Sequence, residues 1–138
     1  MPHSGRRERL QFSDFRFVRT PDGRCTADVT LDWVDGIQVR GTASGQSNTM
    51  VDLRVAAEAT LRALESFAER SCTFELIGVK AVRAFDANVI IVCMDVRNGQ
   101  GPQRLLGVCL AEEDPVRGAV VAVLNATNRV LGNFIATR

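Results

Sequence analysis

The feature that most restricts the fold of this chain is an internal repeat. Two stretches share one plan, in which a short apolar run leads through a polar turn into a helix-like segment: GTASGQSNTMVDLRVAAEATLRALESF (41–67) and GVCLAEEDPVRGAVVAVLNATNRVLG (107–132). Near their ends, ATLRALESF (59–67) aligns with ATNRVLGNF (126–134). Repetition of this kind indicates one supersecondary unit present twice, so the fold must accommodate two copies of it.

Each unit begins with segments that have the pattern of β-strands. The clearest is CTADVTLDWV (25–34), which alternates apolar and polar residues with a strict period of two, as a half-buried strand does. An Asp-Gly pair at 35–36 then predicts a hairpin turn. The predicted strands are 12–20, 25–34, 37–45, 72–85, 88–96 and 104–110.

Each unit ends in a predicted helix. From about Thr49 to Ala68 the apolar residues follow helical spacing, and Ser47, Asn48 or Thr49 is the expected cap. The second helix is predicted to start at Asp114–Pro115, with the aspartate as cap and proline in the first helical position. Its β-branched run AVVAVL (119–124) also fits a strand, but the length of the segment and the repeat favour a helix.

The order βββα followed by βββα predicts an α+β fold, a two-layer sandwich of antiparallel sheet and helices. We expect a single domain preceded by a mobile tail, because the first ten residues are polar and without periodicity. The expected boundaries are 1–10 for the tail and 11–138 for the domain, with repeat one at about 11–70 and repeat two at about 71–134. The helix from 115 to 131 is too apolar for one sheet face to cover, so either the first helix or another subunit must meet it.

Charge and composition restrict the partners and the location. The chain of 138 residues has 17 Lys and Arg against 16 Asp and Glu, so no strong field attracts it to nucleic acid or to an anionic membrane. Residues 30–64 resemble the ββα end of a double-stranded RNA-binding domain. Such a domain needs a basic helix N-terminus for the phosphates, whereas residues 49–55 hold one Arg and one Asp, so RNA binding is not expected. No apolar run is long enough to cross a bilayer, and a cytoplasmic location is expected.

Residues for catalysis or metal binding are sparse. The single histidine, His3, lies in the expected tail, so a Ser-His or Cys-His nucleophile has no partner. Cys25, Cys72, Cys93 and Cys109 are far apart and form no metal-binding spacing, and they read as small buried residues of a reducing compartment. We therefore expect no cofactor, no metal and no enzymatic activity.

Nearly the whole chain resembles a known family. The βββα-βββα order, the strand IGVKAV (77–82) and the stretch 107–132 are similar to the C-terminal regulatory domain of 2-isopropylmalate synthase, a leucine-feedback and dimerisation domain. The family's second helix ends in an Asn-Ala-x-Asn-x-(Leu or Val)-Leu pattern, which Asn125, Ala126, Asn128 and Leu131 match. The likeness covers roughly residues 11–134. The synthase reaction belongs to a separate metal-binding barrel that this chain lacks, so that activity is not expected.

The resemblance implies a ligand pocket between two loops, each joining the third strand of a unit to its helix. The corresponding stretches here are SGQSNTMVD (44–52) and LAEEDPV (110–116). They differ from the family pattern, because the first loop is longer and polar and the second carries three consecutive acids, which favour an ammonium group or a cation. The same acids also suit a plain helix start. The candidate ligand-binding residues are Gly45, Ser47, Asn48, Asp52, Glu112 and Asp114.

The expected function is therefore that of a non-catalytic regulatory domain that binds a small amino-acid-like metabolite, forms a homodimer and acts on a partner enzyme. The alternative is a structural dimerisation or partner-binding module without a ligand, in which the apolar second helix pairs with a copy of itself. A formed cavity with convergent polar groups would favour the first reading, and a filled interface would favour the second.

Overall fold

The computed structural model of the chain describes residues 11–33, 36–68, 71–99, 101–111 and 113–136, with side chains described as far as residue 128. Two antiparallel sheets of three strands are each followed by a helix, which confirms the predicted α+β class and the βββα repeat. The expected tail (1–10) and Glu112 lie outside the described residues. The elements are β1 Gln11–Arg19, β2 Arg24–Asp32, β3 Gln38–Gln46, α1 Thr49–Phe67, β4 Thr73–Ala84, β5 Ala87–Arg97, β6 Pro102–Ala111 and α2 Pro115–Ala136.

The two sheets are built alike. In sheet one the order is β1-β2-β3, and in sheet two it is β4-β5-β6, so the central strand of each is the second of its unit. The apolar residues of the alternating pattern form the buried face of β2, and Cys25, Ala27, Val29 and Leu31 are all 0% exposed. The other face of β2 carries Thr and Asp. The strand pattern therefore separates a core face from a solvent face, as period two requires.

A glycine on the third strand of each unit lets its helix approach closely. Gly41 pairs with Val29 in sheet one, and Gly107 pairs with Val92 in sheet two. A Cβ on Gly41 would overlap the carbonyl oxygen of Ala59, and one on Gly107 would overlap that of Ala122. Each helix therefore lies directly on its own sheet at a site where only hydrogen fits, which makes Gly41 and Gly107 structural equivalents.

The contacts of α2 explain its apolar composition. On one side it packs against β6 and β5 of its own unit, and on another against α1. Ala119, Val120, Ala122 and Val123 are all fully buried. The sequence predicts that either the first helix or another subunit covers α2, and within the chain it is α1 that does so. Helix α1 also packs on β3, β2 and β4, so it lies between the two units.

Two threonines are buried within the helices. The hydroxyl of Thr60 in α1 donates to the carbonyl oxygen of Ala56 at 2.8 Å, and that of Thr127 in α2 donates to that of Val123 at 2.9 Å. Each hydroxyl is thereby satisfied inside its own helix, so neither adds an unpaired polar group to the core.

Among the described helices, none has a stretch apolar and long enough to cross a membrane. All four cysteines are free, Cys25 and Cys72 in the core and the other two half-buried.

Both helix starts are capped as the sequence predicts. The Asn48 side chain accepts a hydrogen bond from the Val51 amide at 2.8 Å, and Asp114 accepts from the amides of Val116 and Arg117, both at 3.1 Å. We expect Asn48→Ala to lower the free energy of unfolding by about 1 kcal/mol, because it leaves an amide of the first turn without its acceptor. Urea denaturation measures this, and Asn48→Asp, which keeps an acceptor, should be nearly neutral. Equal losses in the two variants would contradict the capping role.

Candidate functional site

A cleft of about 560 Å³ opens between the starts of the two helices. One wall is β1, a second is the first turn of α1, a third is the start of α2, and β4 and β5 close the remaining side. The resemblance implies a pocket between the two strand-to-helix loops, and this cleft lies beside the helix starts into which those loops lead. The lining residues are Phe15, Phe17, Arg19, Thr49, Asp52, Leu53, Ala81, Asn88, Asp114, Pro115 and Val116.

The cleft exists because β1 is not covered by a helix. Residues Phe15, Phe17 and Arg19 pair with Val29, Ala27 and Cys25 of β2, so they lie on the inner face of sheet one. The main contacts of α1 on this sheet are with β3 and β2. The inner face of β1 therefore stays accessible beside the helix, and its phenylalanines are only half-buried.

Asp52 holds Arg19 in place at the cleft. The Arg19 guanidinium donates to Asp52 Oδ2 at 2.6 Å, and the Ser47 hydroxyl donates to Oδ1 at 2.8 Å. The Asp52 side chain is 6% exposed, whereas that of Arg19 is 60% exposed. Both oxygens of the buried carboxylate thus accept hydrogen bonds from protein groups, while the guanidinium keeps further N–H donors that can face the cleft.

The ionisation of Asp52 follows from these contacts. Burial alone would raise its pKa, but the hydrogen bonds from Ser47, Arg19 and the Cys25 thiol outweigh burial and hold the pKa of Asp52 below its usual value. Burial raises the pKa of Cys25, and its hydrogen bond to Asp52 adds to that effect. At neutral pH Asp52 is therefore a carboxylate and Cys25 a neutral thiol. A neutral thiol can donate a hydrogen bond to Asp52, but it is a poor nucleophile.

Asp114 stands on the opposite wall. Its Oδ1 accepts the two amides that begin α2, and the residue is exposed. Because Pro115 has no amide hydrogen and the next two amides are already paired, this helix start offers few free donors to an anion. The carboxylate is therefore the charge that this wall presents to the cleft, and it suits an ammonium group.

The floor between these charges is apolar. The rings of Phe15 and Phe17 stack with centroids 6.4 Å apart, and the Arg19 guanidinium lies 5.0 Å from the centroid of Phe17. Leu53 and Val116 contribute from the two helices. A guanidinium, a carboxylate and an apolar floor together fit a small zwitterion with an apolar side chain.

The structure describes five of the six candidate binding residues and gives them four different roles. Asp52 and Asp114 line the cleft, whereas Ser47 supports Asp52 from behind and Asn48 caps α1. A Cβ on Gly45 would lie 3.2 Å from methyl carbons of Val51 and Val55, so this glycine serves the packing of α1 on β3. Glu112 is outside the described residues.

Sequence reasoning missed the contribution of β1. Neither Arg19 nor the two phenylalanines were singled out as site residues, and Asn88 at the start of β5 was also passed over. One signal was available, because Arg19 continues the Phe15–Phe17 alternation and so falls on the inward face of a strand. An arginine at an inward position needs a partner or a ligand, and here it has Asp52.

Within the described part of the chain, no group of three or more His, Cys, Asp or Glu side chains is arranged to hold a metal ion. The chain was also compared with known proteins. It matches no family model, and no curated protein shows a significant match.

Proposed function

We propose that the cleft binds a small zwitterionic metabolite of the amino-acid type, and that this binding serves regulation of a partner enzyme rather than a reaction on the chain itself. The observation that carries the proposal is the arrangement of Arg19, anchored by the buried Asp52, facing an apolar floor with Asp114 on the far wall. Arg19 would take the carboxylate of the ligand and Asp114 its ammonium group.

The chemistry of the lining supports binding over catalysis. The ionisable side chains there are Arg19, Asp52 and Asp114. Both acids serve the fold, Asp52 by pairing with Arg19 and Asp114 by capping α2. A catalytic base needs a pKa near the working pH. That of Asp52 is instead lowered, which keeps it a permanent anion at neutral pH. The resemblance to a regulatory domain points in the same direction.

Binding is tested by the thermal stability of the protein in the presence of amino acids. A ligand that binds only the folded chain raises the melting temperature with its concentration. An apolar L-amino acid should stabilise, whereas the matching amine without the carboxylate and the matching 2-oxo acid without the amine should not. If no amino acid shifts the melting temperature, the ligand-free structural module is the better account.

Two variants assign the contacts. Arg19→Gln and Asp114→Asn should each weaken binding by roughly 10- to 100-fold, which is the usual value of a hydrogen bond to a charged group. Asparagine remains a good helix cap, so Asp114→Asn should fold normally. The matched control is Arg16→Gln, because Arg16 lies on the same strand but pairs with Asp28 on the outer face. An equal loss in the control would contradict the role of Arg19.

A further inference from the structure

The outer faces of the two sheets have opposite character although the sheets are built alike. Gly41 and Gly107 mark equivalent positions, so the residues around them can be compared one by one. In sheet one the outward residues of β2 and β3 beside this point are all polar. They are Thr26, Asp28, Thr30, Arg40, Thr42 and Ser44.

In sheet two the equivalent six positions are all apolar or cysteine. Leu106, Val108 and Leu110 on β6 are 66%, 50% and 59% exposed. Their partners on β5 are half-buried and complete a continuous surface. The six residues, called here the apolar face, are Val89, Ile91, Cys93, Leu106, Val108 and Leu110.

The apolar face continues onto β4 and its hairpin. Ile77 and Val82 on this strand are 42% and 40% exposed. At the β4–β5 turn, Phe85 and Asp86 have φ of 55° and 57°, as the two central residues of a type I′ hairpin turn do. Phe85 is 94% exposed, and an exposed aromatic next to an apolar sheet enlarges a patch of the kind that marks a contact with a partner.

We propose that the apolar face is the interface of a homodimer, in which two copies of sheet two pack face to face. With strands about 4.8 Å apart and about 3.3 Å per residue, the outer surface of all three strands from the β4–β5 turn to Asp95 is roughly 15 Å by 30 Å, and the apolar face takes up roughly a third of it. The footprint of this outer surface, roughly 500 Å² before the relief of the side chains is counted, is of the order that each partner buries in a stable dimer, about 800 Å².

The charges at one end of the face favour a second copy as the partner. Glu75 on β4, Asp95 on β5 and Arg104 on β6 form one row across the sheet. A two-fold axis running along β5 would place the acid of β4 in one copy opposite the base of β6 in the other. The two Asp95 carboxylates would face each other across the axis, but each already accepts a hydrogen bond from Arg104 of its own chain at 2.8 Å. The attraction between copies therefore comes from the two Glu75–Arg104 pairs, which an isologous interface forms twice. Lys80 lies in the row of Ile91 and Val108, so the same axis sets its side chain against Val108 of the other copy. Its alkyl stem would pack there, and its ammonium would extend past the edge strand β4 to water.

This inference does not depend on the proposed ligand. The cleft is lined from the inner face of sheet one and from the helix starts, and it shares no residue with the apolar face. A chain that binds no amino acid could still form this dimer, and a monomer could still bind one. The two proposals therefore fail separately.

The mass of the protein in solution tests the interface. Sedimentation or light scattering over a range of concentrations should give twice the chain mass for the wild type. Val108→Lys should weaken the dimer by at least about 100-fold, because it buries an unpaired charge. The matched control is Thr42→Lys at the equivalent position of sheet one, which should remain dimeric. A wild type that stays monomeric at the highest soluble concentration would overturn the proposal, as would a dimeric Val108→Lys.

Folding of the variants must be preserved for this test, and circular dichroism melting checks it. Leu106→Arg is the second variant, because repeat one already carries an arginine, Arg40, at the equivalent strand position. It should be folded and monomeric. A folded, dimeric Leu106→Arg would count against the interface in the same way.

Cys93 offers a direct test of the axis. On the central strand β5, it would face its own copy across the two-fold, with the sheets about 10 Å apart. A bismaleimide of about that length should therefore join two wild-type chains. Cys93→Ser should abolish the cross-link and Cys109→Ser, on the inner face of β6, should retain it. A cross-link that persists without Cys93, or a dimer that does not cross-link at all, would overturn an axis along β5.

Discussion

Replacing Gly107 by alanine is expected to lower the free energy of unfolding by about 3 kcal/mol or more. A Cβ there would overlap the carbonyl oxygen of Ala122 and lie 2.9 Å from the Cβ of Ala126. Because the first of these contacts is with helix backbone, no rotamer change relieves it, and α2 must move off the sheet. Such overpacking costs about 1–3 kcal/mol or more when the backbone has to shift.

Gly41→Ala should have a similar effect in the first unit, since its Cβ would overlap the backbone of Ala59 and Ala63 in α1. Gly78→Ala is the matched control. Gly78 also lies in a strand, but nothing within the chain is within 4 Å of its Cβ position. Because Gly78 pairs with Cys93 on the apolar face, the comparison is made at a concentration at which all variants have the same oligomeric state. Urea denaturation with equal m-values for all variants gives the comparison. A Gly107→Ala protein as stable as Gly78→Ala would show that the helix does not approach the strand this closely.

Asp52→Ala is expected to cost about 2 kcal/mol of stability and to weaken ligand binding as well. The change removes the acceptor of both the Ser47 hydroxyl and the Arg19 guanidinium, and hydrogen bonds to a charged group contribute about 1.5–3 kcal/mol. Arg19 is 60% exposed, so water partly replaces its lost partner, and the loss stays below that of a fully buried pair. The released guanidinium would then no longer be held at the cleft.

The control for this change is Asp28→Ala. Asp28 also accepts a hydrogen bond from a hydroxyl, that of Thr42, and has an arginine nearby, but it lies on the solvent face of sheet one. Its loss should cost less than about 1 kcal/mol, as is usual for exposed pairs. Equal losses from the two alanine variants would contradict the role of Asp52 as the anchor of Arg19.

The pH dependence of stability follows from the lowered pKa of Asp52. Its unfolded-state pKa is about 3.9, and the folded-state pKa lies below this. The stabilisation from its pairing is therefore fully present above the unfolded pKa and is lost as the pH falls through the folded pKa. Urea midpoints between neutral pH and about pH 2 should fall less steeply in Asp52→Asn than in the wild type. Parallel curves would mean that Asp52 does not titrate differently on folding.

The element order could be read from the sequence because its signals are local. Strict alternation marks β2, and the change of period marks α1. The caps Asn48 and Asp114 act within one turn of their own helices. The β-branched run 119–124 is helical, as the Asp-Pro start and the repeat predict. These features depend on neighbours a few positions apart, which a single sequence displays directly.

Only about half of the candidate site could be predicted from such local signals. Asp52 and Asp114 could be named because both lie beside a helix start. Arg19 and Phe17 enter the cleft from β1, more than thirty positions before the Asp52 that Arg19 contacts. Whether a helix covers β1 depends on the position of α1 on sheet one, and the sequence of β1 contains no information about that position.

The apolar surfaces show the same division. Residues 105–110 are apolar at both parities, as in Leu105 and Leu106, so the sequence by itself determined that both faces of β6 carry apolar side chains. It likewise determined that α2 needs more than one sheet to cover it. Only the tertiary structure decided that α1 covers α2 and that the apolar face of sheet two is left exposed. The hydrophobic effect is non-directional, so periodicity tells which side of an element is buried but not what lies against it.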